Sequence, residues 1–588
     1  SGQEHIFFLK NFFDSKNTSM HELSIAAIGE NRQIRVVCLG AGYSGLMMAI
    51  AVREKFHTED LEFQVYEKNA DLGGTWLVNR YPGCQCDIPT HNYQFSFEPK
   101  PDWPNYYATS EQIHQYMTQV ACKYRCEDFF KYSHEVVKAR WDDEEAKWHI
   151  TVKSGDAQFV DICDVFINAG GVLNNWNWPS IPGISSYRGK LLHSADWDLN
   201  FEFQDKTVAV IGIGSSGVQI MPELAKVAKS VTLFARSPTW ISPSGIGEPG
   251  PGDPEIDREY KYTERELIRF RDDPQYLLRH RKDLQINRIT GFRQFIIGTP
   301  SQLQAMAACE TAMREILGTT DKGRTVLEKL LPDFPVGCRR LTPGLGFLEA
   351  FTKDNTHLEW KNIREITKRG ILTSDGRHLD FDAICCATGF DNSFQPQFPV
   401  TGRNGFDLAK KWKEEGPEAY FGVTLAGMPN YFSFVGPNSP VSNGSLVQAI
   451  QGTAIYIAKC LKKMQTQSIR SMEISLKAQN DFNEHCQAYL KTTVWAGPCS
   501  SWYKQGTADG KIVAIYCGST YHFLEALKEP RWEDYHFTYV PISQNNRFYY
   551  LGNGMTVGEV TGRGDMGITQ TFSFEDYWNL FNSPVLFQ

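Results

Sequence analysis

The sequence contains one short pattern twice: an apolar, β-branched run leads into Gly-x-Gly-x-x-Gly and then into a helix-compatible stretch. The first copy follows Ile34–Leu39 and the second follows Thr207–Ile211. In such a turn the first glycine permits a tight bend, the second lets the backbone approach a pyrophosphate, and the third lets helix and strand pack closely. The helix N-terminus then offers free N–H groups to the phosphates. The chain is therefore predicted to be an α/β protein with two Rossmann-like dinucleotide-binding domains.

The two copies differ in the residue that follows the next strand. Glu67 follows Leu61–Tyr66, and a carboxylate there accepts hydrogen bonds from a ribose 2′-OH and repels a 2′-phosphate. Arg236 and Ser237 follow the second copy, where an arginine pairs with a 2′-phosphate. This difference indicates FAD at the first site and NADP at the second. The predicted cofactor-binding positions in the two turns are Gly40, Gly42, Gly45, Gly212, Gly214, Ser215, Ser216 and Gly217.

Composition excludes several other classes. The formal net charge is −8 at pH 7, whereas a general nucleic-acid binder needs a basic surface. The 14 cysteines include no Cys-x-x-Cys pair, so neither a zinc ribbon nor any other metal site is expected. Cys38, Cys385 and Cys386 lie in apolar strand-like runs, which predicts reduced, buried thiols and a cytoplasmic protein. Residues 36–52 are short for a membrane span, and polar residues and glycines interrupt 419–458, so no span is expected.

The pattern along the chain predicts a division into segments. Residues 1–33 are read as an N-terminal extension, 34–180 as the first part of an FAD-binding domain, 181–380 as an NADP-binding domain, 381–495 as the second part of the FAD-binding domain, and 496–588 as a mobile loop with a C-terminal tail. Charged and apolar residues interleave over about 255–330 without a strand pattern, which predicts a helical insertion in or beside the NADP-binding domain. The sequence does not indicate an oligomeric state.

Two longer motifs resemble those of a known family. Residues 73–87 read Gly-Gly-Thr-Trp-Leu-Val-Asn-Arg-Tyr-Pro-Gly-Cys-Gln-Cys-Asp and match GGxWxxxxYPGxxxD. Residues 187–198 read Tyr-Arg-Gly-Lys-Leu-Leu-His-Ser-Ala-Asp-Trp-Asp and match FxGxxxHxxxW(P/D), with tyrosine for phenylalanine at 187. Both patterns are typical of type I Baeyer–Villiger monooxygenases. The chain resembles this family over about 34–520, and residues 518–534 resemble the tail of its fungal natural-product members.

The resemblance implies an NADPH- and O2-dependent oxidation of a ketone, expected to be bulky and cyclic, to an ester or lactone. In this family a C4a-peroxyflavin anion attacks the ketone, which requires a fixed positive charge in a site that excludes water. By resemblance Arg340 supplies that charge, and Asp87, close to the flavin, orients it. Arg339 stands where the family has a lysine for the NADP 2′-phosphate.

Other site residues also rest on the resemblance. Thr75, Trp76 and Tyr93, together with Asp87, fall where the family contacts FAD. Trp502 matches a mobile-loop tryptophan that folds over the nicotinamide cofactor, although the family's Asn-Ile-Pro-Gly-Lys is Thr-Ala-Asp-Gly-Lys at 507–511. The fingerprint residues Gly189, His193 and Trp197 are expected at the link between the domains.

Two alternative functions remain open. A flavin-containing monooxygenase that performs N- or S-oxidation or hydroxylation shares the histidine pattern, usually lacks the tryptophan, and does not need the charge of Arg340. A non-catalytic NADPH sensor would bind both nucleotides without oxygen transfer, although the complete set of Asp87, Arg340 and Trp502 argues against it.

Overall fold

Two five-stranded sheets form the centre of the molecule in the computed structural model, which describes residues 24, 26–242, 261–541 and 546–561. The strand order of the first sheet is Tyr431–Ser433, Val165–Asn168, Ile34–Leu39, Leu61–Tyr66, Phe130–Lys131. That of the second sheet is Thr356–Glu359, Ser230–Phe234, Thr207–Ile211, Ala383–Cys386, Lys190–His193. All pairings in both sheets are parallel. The predicted α/β class with two Rossmann-like sheets is confirmed.

The central strands are apolar because helices or further sheets cover both of their faces. Val36, Val37 and Cys38 are fully buried in the first sheet, as are Val208, Ala209 and Val210 in the second. Ala383–Cys386 pairs with Thr207–Ile211. The strand therefore belongs to the second sheet, although the segment boundaries above group it with the second part of the FAD-binding domain.

Helices follow each glycine turn and cover the sheets. Tyr43–Lys55 is buried from Tyr43 to Val52, so it lies within the core. Four helices lie between residues 264 and 330, within the predicted helical insertion. The α-helices in chain order are Tyr43–Lys55, Thr75–Val78, Ser110–Lys123, Ser215–Val227, Glu264–Asp272, Pro274–Thr290, Pro300–Leu317, Asp321–Leu330, Phe347–Ala350, Leu408–Glu415, Leu446–Thr466, Leu476–Leu490, Thr520–Ala526 and Val557–Thr561.

Three smaller sheets extend the two central ones. They are formed by Val400–Thr401, Glu135–Asp142, Lys147–Ser154 and Ala157–Cys163; by Ile363–Ile366, Gly370–Thr373 and His378–Asp380; and by Ile469–Ile474 with Tyr535–Tyr539. Residues 1–23 and 25 of the predicted N-terminal extension lie outside the described residues. Ile28 forms a parallel bridge with Thr556, so the end of the extension contacts the C-terminal tail.

The cysteines differ in one respect from the sequence-based expectation. Cys38, Cys385 and Cys386 are buried free thiols, as predicted. Cys338 and Cys499, however, form a disulfide across a sequence separation of 161 residues. Neither cysteine lies in a motif that indicates pairing, because the tertiary fold alone brings the two segments together. Among the described helices, none is long and apolar enough to cross a membrane. The same described part of the chain contains no cluster of three or more His, Cys, Asp or Glu side chains that could hold a metal ion.

Candidate active site

Both glycine turns leave open space where a phosphate would lie. The first glycine of each turn is required by the fold: Gly40 has φ +96° and Gly212 φ +112°, and a Cβ on Gly212 would lie 2.4 Å from the carbonyl oxygen of Ala387. The second glycines are different, because a Cβ on Gly214 would meet no atom within 4 Å and one on Gly42 only the Cα of Gly74, at 3.7 Å. The backbone is therefore accessible at the helix N-terminus, as dinucleotide binding requires.

The third glycines allow the helices to pack against the turns. A Cβ on Gly45 would lie 1.9 Å from the carbonyl oxygen of Gly40, and one on Gly217 would lie 2.0 Å from that of Gly212. Both helices begin at a glycine N-cap without a side-chain cap. In the second turn, Ser215 Oγ lies 3.1 Å from Thr342 Oγ1, and Ser216 is half-buried. Both turns thus fit the diphosphate of a dinucleotide.

Glu67 stands at the end of the strand next to the first glycine turn. Its Oε2 accepts the N–H of Ala41 at 2.8 Å, and its Oε1 accepts the backbone and side-chain N–H groups of Asn69. The carboxylate is therefore fixed against the turn. A carboxylate has about four acceptor positions, so Glu67 retains capacity for a ribose hydroxyl.

An aromatic group lies beside the first turn. Gly73 donates its N–H to the Ala41 carbonyl at 3.0 Å, which brings Thr75 and Trp76 to the glycine loop. Trp76 Nε1 donates to the Tyr93 hydroxyl at 3.2 Å, and the two rings pack edge to face. Burial raises the pKa of Tyr93 above its ordinary value. The predicted FAD contacts Thr75, Trp76 and Tyr93 are therefore close to one another and to the first dinucleotide turn.

Arg340 and Asp87 form a two-point ion pair between distant parts of the chain. Arg340 Nε donates to Asp87 Oδ2 at 2.6 Å, and Arg340 Nη2 donates to Asp87 Oδ1 at 2.7 Å. Arg340 Nη1 donates to the Val441 carbonyl at 2.7 Å. Burial acts to lower the pKa of Arg340, but the charge and hydrogen bonds of Asp87 outweigh burial and raise the pKa. Three bonds thus hold a permanent cation in one orientation.

Tyr503 is a neighbour of Arg340 that the sequence analysis did not single out. It lies next to Trp502 in the short helix Trp502–Lys504 and is 1% exposed. Burial raises the pKa of Tyr503 to about 12, against the opposing effect of the adjacent Arg340 charge and hydrogen bond. Trp502 is half-buried, and its ring lies 4.7 Å from that of Tyr503. Trp502 is therefore one residue away from a side chain that touches Arg340.

A group of cations lies beside the second dinucleotide turn. Arg339 Nη1 donates to the Pro238 carbonyl at 3.2 Å, and its buried Nε has no hydrogen-bond partner. Burial lowers the pKa of Arg339, and so does the nearby charge of Arg236. Ser237 follows Arg236 and is half-buried. Arg236 and Arg339 thus bring two positive charges and an unpartnered N–H donor together. Such a group fits an anion such as a 2′-phosphate.

Lys504 adds a third cation that sequence reasoning missed. It is 2% exposed, and its ammonium donates to the Gly497 carbonyl at 2.6 Å. Burial lowers the pKa of Lys504, Asp509 opposes this effect, and Arg339 adds to it. The only sequence signal for Tyr503 and Lys504 was their position directly after Trp502.

The fingerprint residues lie in and beside the edge strand Lys190–His193 of the second sheet. His193 is fully buried, accepts the Ala195 N–H at Nδ1, and lies with Nε2 at 3.2 Å from Thr388 Oγ1. The acceptor role of Nδ1 assigns the proton to Nε2, and burial lowers the pKa of His193 to about 4 despite the opposing charge of Asp196. Trp176 stacks on His193 at 4.3 Å. His193 is therefore a neutral residue that joins its strand to the Ala-Thr-Gly segment of residues 387–389.

The other two fingerprint residues have packing contacts. A Cβ on Gly189 would lie 2.3 Å from the Tyr187 hydroxyl, which donates to the Phe381 carbonyl at 2.8 Å. The tyrosine that replaces the family's phenylalanine thus adds a hydrogen bond above Gly189. Trp197 stacks on Phe203 at 5.6 Å. These contacts involve neither Asp87 nor Arg340.

Comparison with protein-family models matches residues 33–253 to the flavin-binding monooxygenase-like family. The FAD-binding monooxygenase tazF of Aspergillus terreus is 38% identical over 542 residues, which is 91% of this chain and 94% of that protein. A Baeyer–Villiger monooxygenase of Pseudomonas aeruginosa is 32% identical over 87% of this chain and 93% of its own length.

Solved structures show the same fold. Cyclohexanone monooxygenase from Rhodococcus sp. Phi1, bound to NADP+, superposes with a TM-score of 0.73 at 23% identity, over 87% of this chain and all of that chain. An oxidised steroid monooxygenase bound to NADP gives 0.72 at 22% identity, with the same coverage of this chain. From its relatives, the chain belongs to the flavin-binding monooxygenase family, among the fungal FAD-binding monooxygenases and the Baeyer–Villiger monooxygenases.

Proposed function

We propose that this protein binds FAD and NADPH and uses O2 to convert a ketone into an ester or lactone by Baeyer–Villiger oxidation. Support comes from the family membership and from the two dinucleotide turns, which differ in the residue that reads the ribose. We further propose that the ketone is bulky and cyclic, and that the protein acts in the cytoplasm without nucleic acid. The Cys338–Cys499 disulfide argues against a fully reducing compartment.

Each cofactor would be held by residues of one sheet. Gly40, Gly42, Gly45 and Glu67 would bind the adenosine diphosphate of FAD, with Thr75, Trp76 and Tyr93 beside its ring. The second turn would bind NADP through Gly212, Gly214, Ser215, Ser216 and Gly217, with Arg236, Ser237 and Arg339 on the 2′-phosphate. FAD, once reduced by NADPH, supplies the activated oxygen for the reaction.

The observation that carries the proposal is the orientation of the Arg340 cation. A guanidinium has five N–H donors, and Asp87 and Val441 take three of them. We propose that the two remaining donors, on the side of Tyr503, point into the space in which negative charge would develop on oxygen as a ketone carbonyl is attacked. A donor that is already fixed in position stabilises such charge at no reorganisation cost. Transfer of oxygen to a soft nitrogen or sulfur atom does not require a fixed cation at this position.

Closure over the site is also proposed. The short helix Trp502–Lys504 contacts Arg340 through Tyr503, so a movement of Trp502 would change the access of water to the cation. We propose that Gly189, His193 and Trp197, which lie in and beside the strand Lys190–His193, act at a distance, with His193 joining that strand to residues 387–389. This role is structural and involves no contact with substrate.

The test uses the flavin-loaded enzyme with NADPH, a bulky cyclic ketone and a thioether. We expect the wild type to form the lactone, and Arg340→Ala to lose lactone formation while it still oxidises NADPH. Arg369→Ala is the matched control, because Arg369 is exposed and pairs with Asp380. Lactone formation by Arg340→Ala at the wild-type rate would refute the mechanism. Oxygenation of the thioether alone by the wild type would favour heteroatom oxidation.

A further inference from the structure

Two free cysteines, Cys486 and Cys517, lie with their sulfur atoms 3.0 Å apart. Cys486 is on the buried face of the helix Leu476–Leu490, and Cys517 is the last residue of the segment 512–517. Both side chains are buried, at 0% and 5% exposure. Sulfur atoms this close need only a small movement to reach the bond length of a disulfide, about 2.05 Å. The fold therefore prepares this pair for oxidation.

The two thiols differ in reactivity. The Cys486 thiol donates a hydrogen bond to the Cys517 sulfur. This hydrogen bond lowers the pKa of Cys517 against the opposing effect of burial, and it raises the pKa of Cys486. The thiolate is the form of cysteine that attacks a peroxide. Cys517 is therefore the nucleophile of the pair, and Cys486 is the thiol that reacts second.

The segment 512–517 connects the thiol pair to Arg340. The Val513 N–H donates to the Tyr503 carbonyl at 2.9 Å, and Tyr503 in turn contacts Arg340. Every residue of the segment is 5% exposed or less. A close-packed segment transmits a displacement to its neighbours, because it has no free space in which to move alone. The position of Tyr503 therefore depends on how firmly the segment is held.

The thiol pair and the existing disulfide lie at opposite ends of the loop 500–516, which contains Trp502 and Tyr503. Cys499, which is bridged to Cys338, directly precedes this loop, and Cys517 directly follows it. One bridge fixes the loop covalently at its first end only. A second bridge would fix the other end and would exclude open conformations of the loop.

We propose that Cys486 and Cys517 form a site of reversible oxidation by hydrogen peroxide, which closes a second disulfide and fixes the loop 500–516 at both ends. The Cys517 thiolate first attacks one oxygen of the peroxide, the O–O bond breaks, and a sulfenic acid and hydroxide form. The Cys486 thiol then attacks the sulfenic sulfur, and an S–S bond replaces the S–O bond. The two sulfur atoms give up two electrons, and the peroxide and the two thiol protons become two water molecules.

The oxidant has a source in the proposed function. A turnover that consumes NADPH and O2 without oxygenating the ketone yields NADP and hydrogen peroxide. Peroxide released in this way would close the bridge, hold Tyr503 against Arg340, and so reduce further release. The source of the peroxide rests on the proposed function, whereas closure of the bridge by added peroxide does not.

The first test adds hydrogen peroxide to the full-length, flavin-loaded protein without NADPH and maps the thiols by differential alkylation. We expect a peptide that joins Cys486 to Cys517, and a rise in the thermal midpoint by roughly 2–5 °C. Cys486→Ser should stop at the sulfenic acid of Cys517, which dimedone labels. Cys517→Ser should leave Cys486 as a thiol at the same peroxide concentration. Cys122→Ser, which removes an exposed free thiol, is the control and should form the bridge as the wild type does.

Two results of this test would overturn the proposal. One is recovery of Cys486 and Cys517 as thiols at a peroxide concentration that oxidises the exposed Cys122. The other is a bridge that is already complete in the untreated protein, because the pair would then be a permanent disulfide. Equal dimedone labelling of Cys486→Ser and Cys517→Ser would refute the assignment of Cys517 as the nucleophile.

The second test measures the peroxide released per NADPH, after the added peroxide has been removed. The treated wild type should release less than the untreated wild type, and Cys486→Ser should show no decrease after the same treatment. A closed bridge with unchanged release would overturn the fixing of the loop. If the wild type closes the bridge with added peroxide but does not oxidise NADPH, the proposed function fails while the oxidation site stands.

Discussion

Asp87 and Arg340 are 253 residues apart in the chain, yet their side chains meet through two hydrogen bonds of 2.6 and 2.7 Å. One belongs to the segment after the first dinucleotide turn, and the other to the segment after the helical insertion. The pair therefore connects the region of the predicted FAD contacts with the region of the predicted NADP cations. Its side chains are 19% and 29% exposed, so the site is partly open from one side.

Removal of Asp87 should affect the orientation of Arg340 more than the fold. We expect Asp87→Ala to lower kcat for ketone oxygenation by about 10²-fold. The variant keeps the Arg340 cation but no longer fixes its position, and a small displacement of a catalytic group lowers the rate by about this factor. NADPH oxidation should continue and release more hydrogen peroxide. Product and peroxide yields per NADPH measure the effect. Asp156→Ala, at an exposed position, is the control. A variant that keeps wild-type lactone yield would show that Val441 and Tyr503 suffice to orient Arg340.

The choice between NADPH and NADH should depend on Arg236 and Arg339. Loss of either cation should raise the Kd for NADP by about 10- to 100-fold and leave the Kd for NAD nearly unchanged, because only NADP carries the 2′-phosphate. Equilibrium titration of the two nucleotides onto the enzyme measures both constants. Arg265→Ala, at an exposed position in the helical insertion, should change neither. If Arg236→Ala weakened the binding of NADP and NAD equally, Arg236 would not act through the 2′-phosphate.

The sequence predicted the local features well. The glycine turns and their flanking strands follow from short-range patterns, since each unit is a single strand–turn–helix. Pairings across long distances are different. The contact between Asp87 and Arg340 came from family resemblance, because no local pattern encodes a pair so far apart in sequence. The position of Ala383–Cys386 in the second sheet likewise depends on its pairing with Thr207–Ile211, a strand far away in sequence.

The cysteines illustrate the same limit. Cys338 precedes the two arginines and Cys499 lies three residues before Trp502, and the sequence analysis, which expected a reducing compartment, predicted no pairing for either. Their Cα atoms lie 6.2 Å apart only because the fold brings the two segments together. Tyr503 and Lys504 escaped notice for the same reason, since their neighbours Arg340 and Arg339 are far away in sequence.

The buried His193 should make stability depend on pH. Burial lowers its pKa to about 4 in the folded protein, from an ordinary value of 6.5, so the unfolded chain binds the extra proton first as the pH falls. Stability is therefore lost between pH 6.5 and 4 and is unaffected by this group above pH 7. Between pH 7 and pH 5 the loss should be about 1–2 kcal/mol.

His193→Gln tests this expectation, because glutamine cannot be protonated in this range and can still donate to Thr388. The thermal midpoint of the variant should fall less than that of the wild type between pH 7 and pH 5. His536→Gln, at an exposed position, should follow the wild type. An identical fall in wild type and His193→Gln would mean that other groups control the acid sensitivity.

The Cys338–Cys499 disulfide joins the segment that carries Arg339 and Arg340 to the segment that carries Trp502. Its removal should destabilise the protein by roughly 2–5 kcal/mol, since the bridge closes a long loop in the unfolded chain. It should also loosen Tyr503 against Arg340 and so increase the peroxide released per NADPH. Cys499→Ser measures both effects, and Cys122→Ser, which removes an exposed free thiol, is the control. Treatment with dithiothreitol should reproduce the Cys499→Ser phenotype in the wild type and have no effect on Cys499→Ser itself. Recovery of both cysteines as free thiols from the native, untreated protein by peptide mapping would contradict the bridge and favour the reduced state that the sequence indicated.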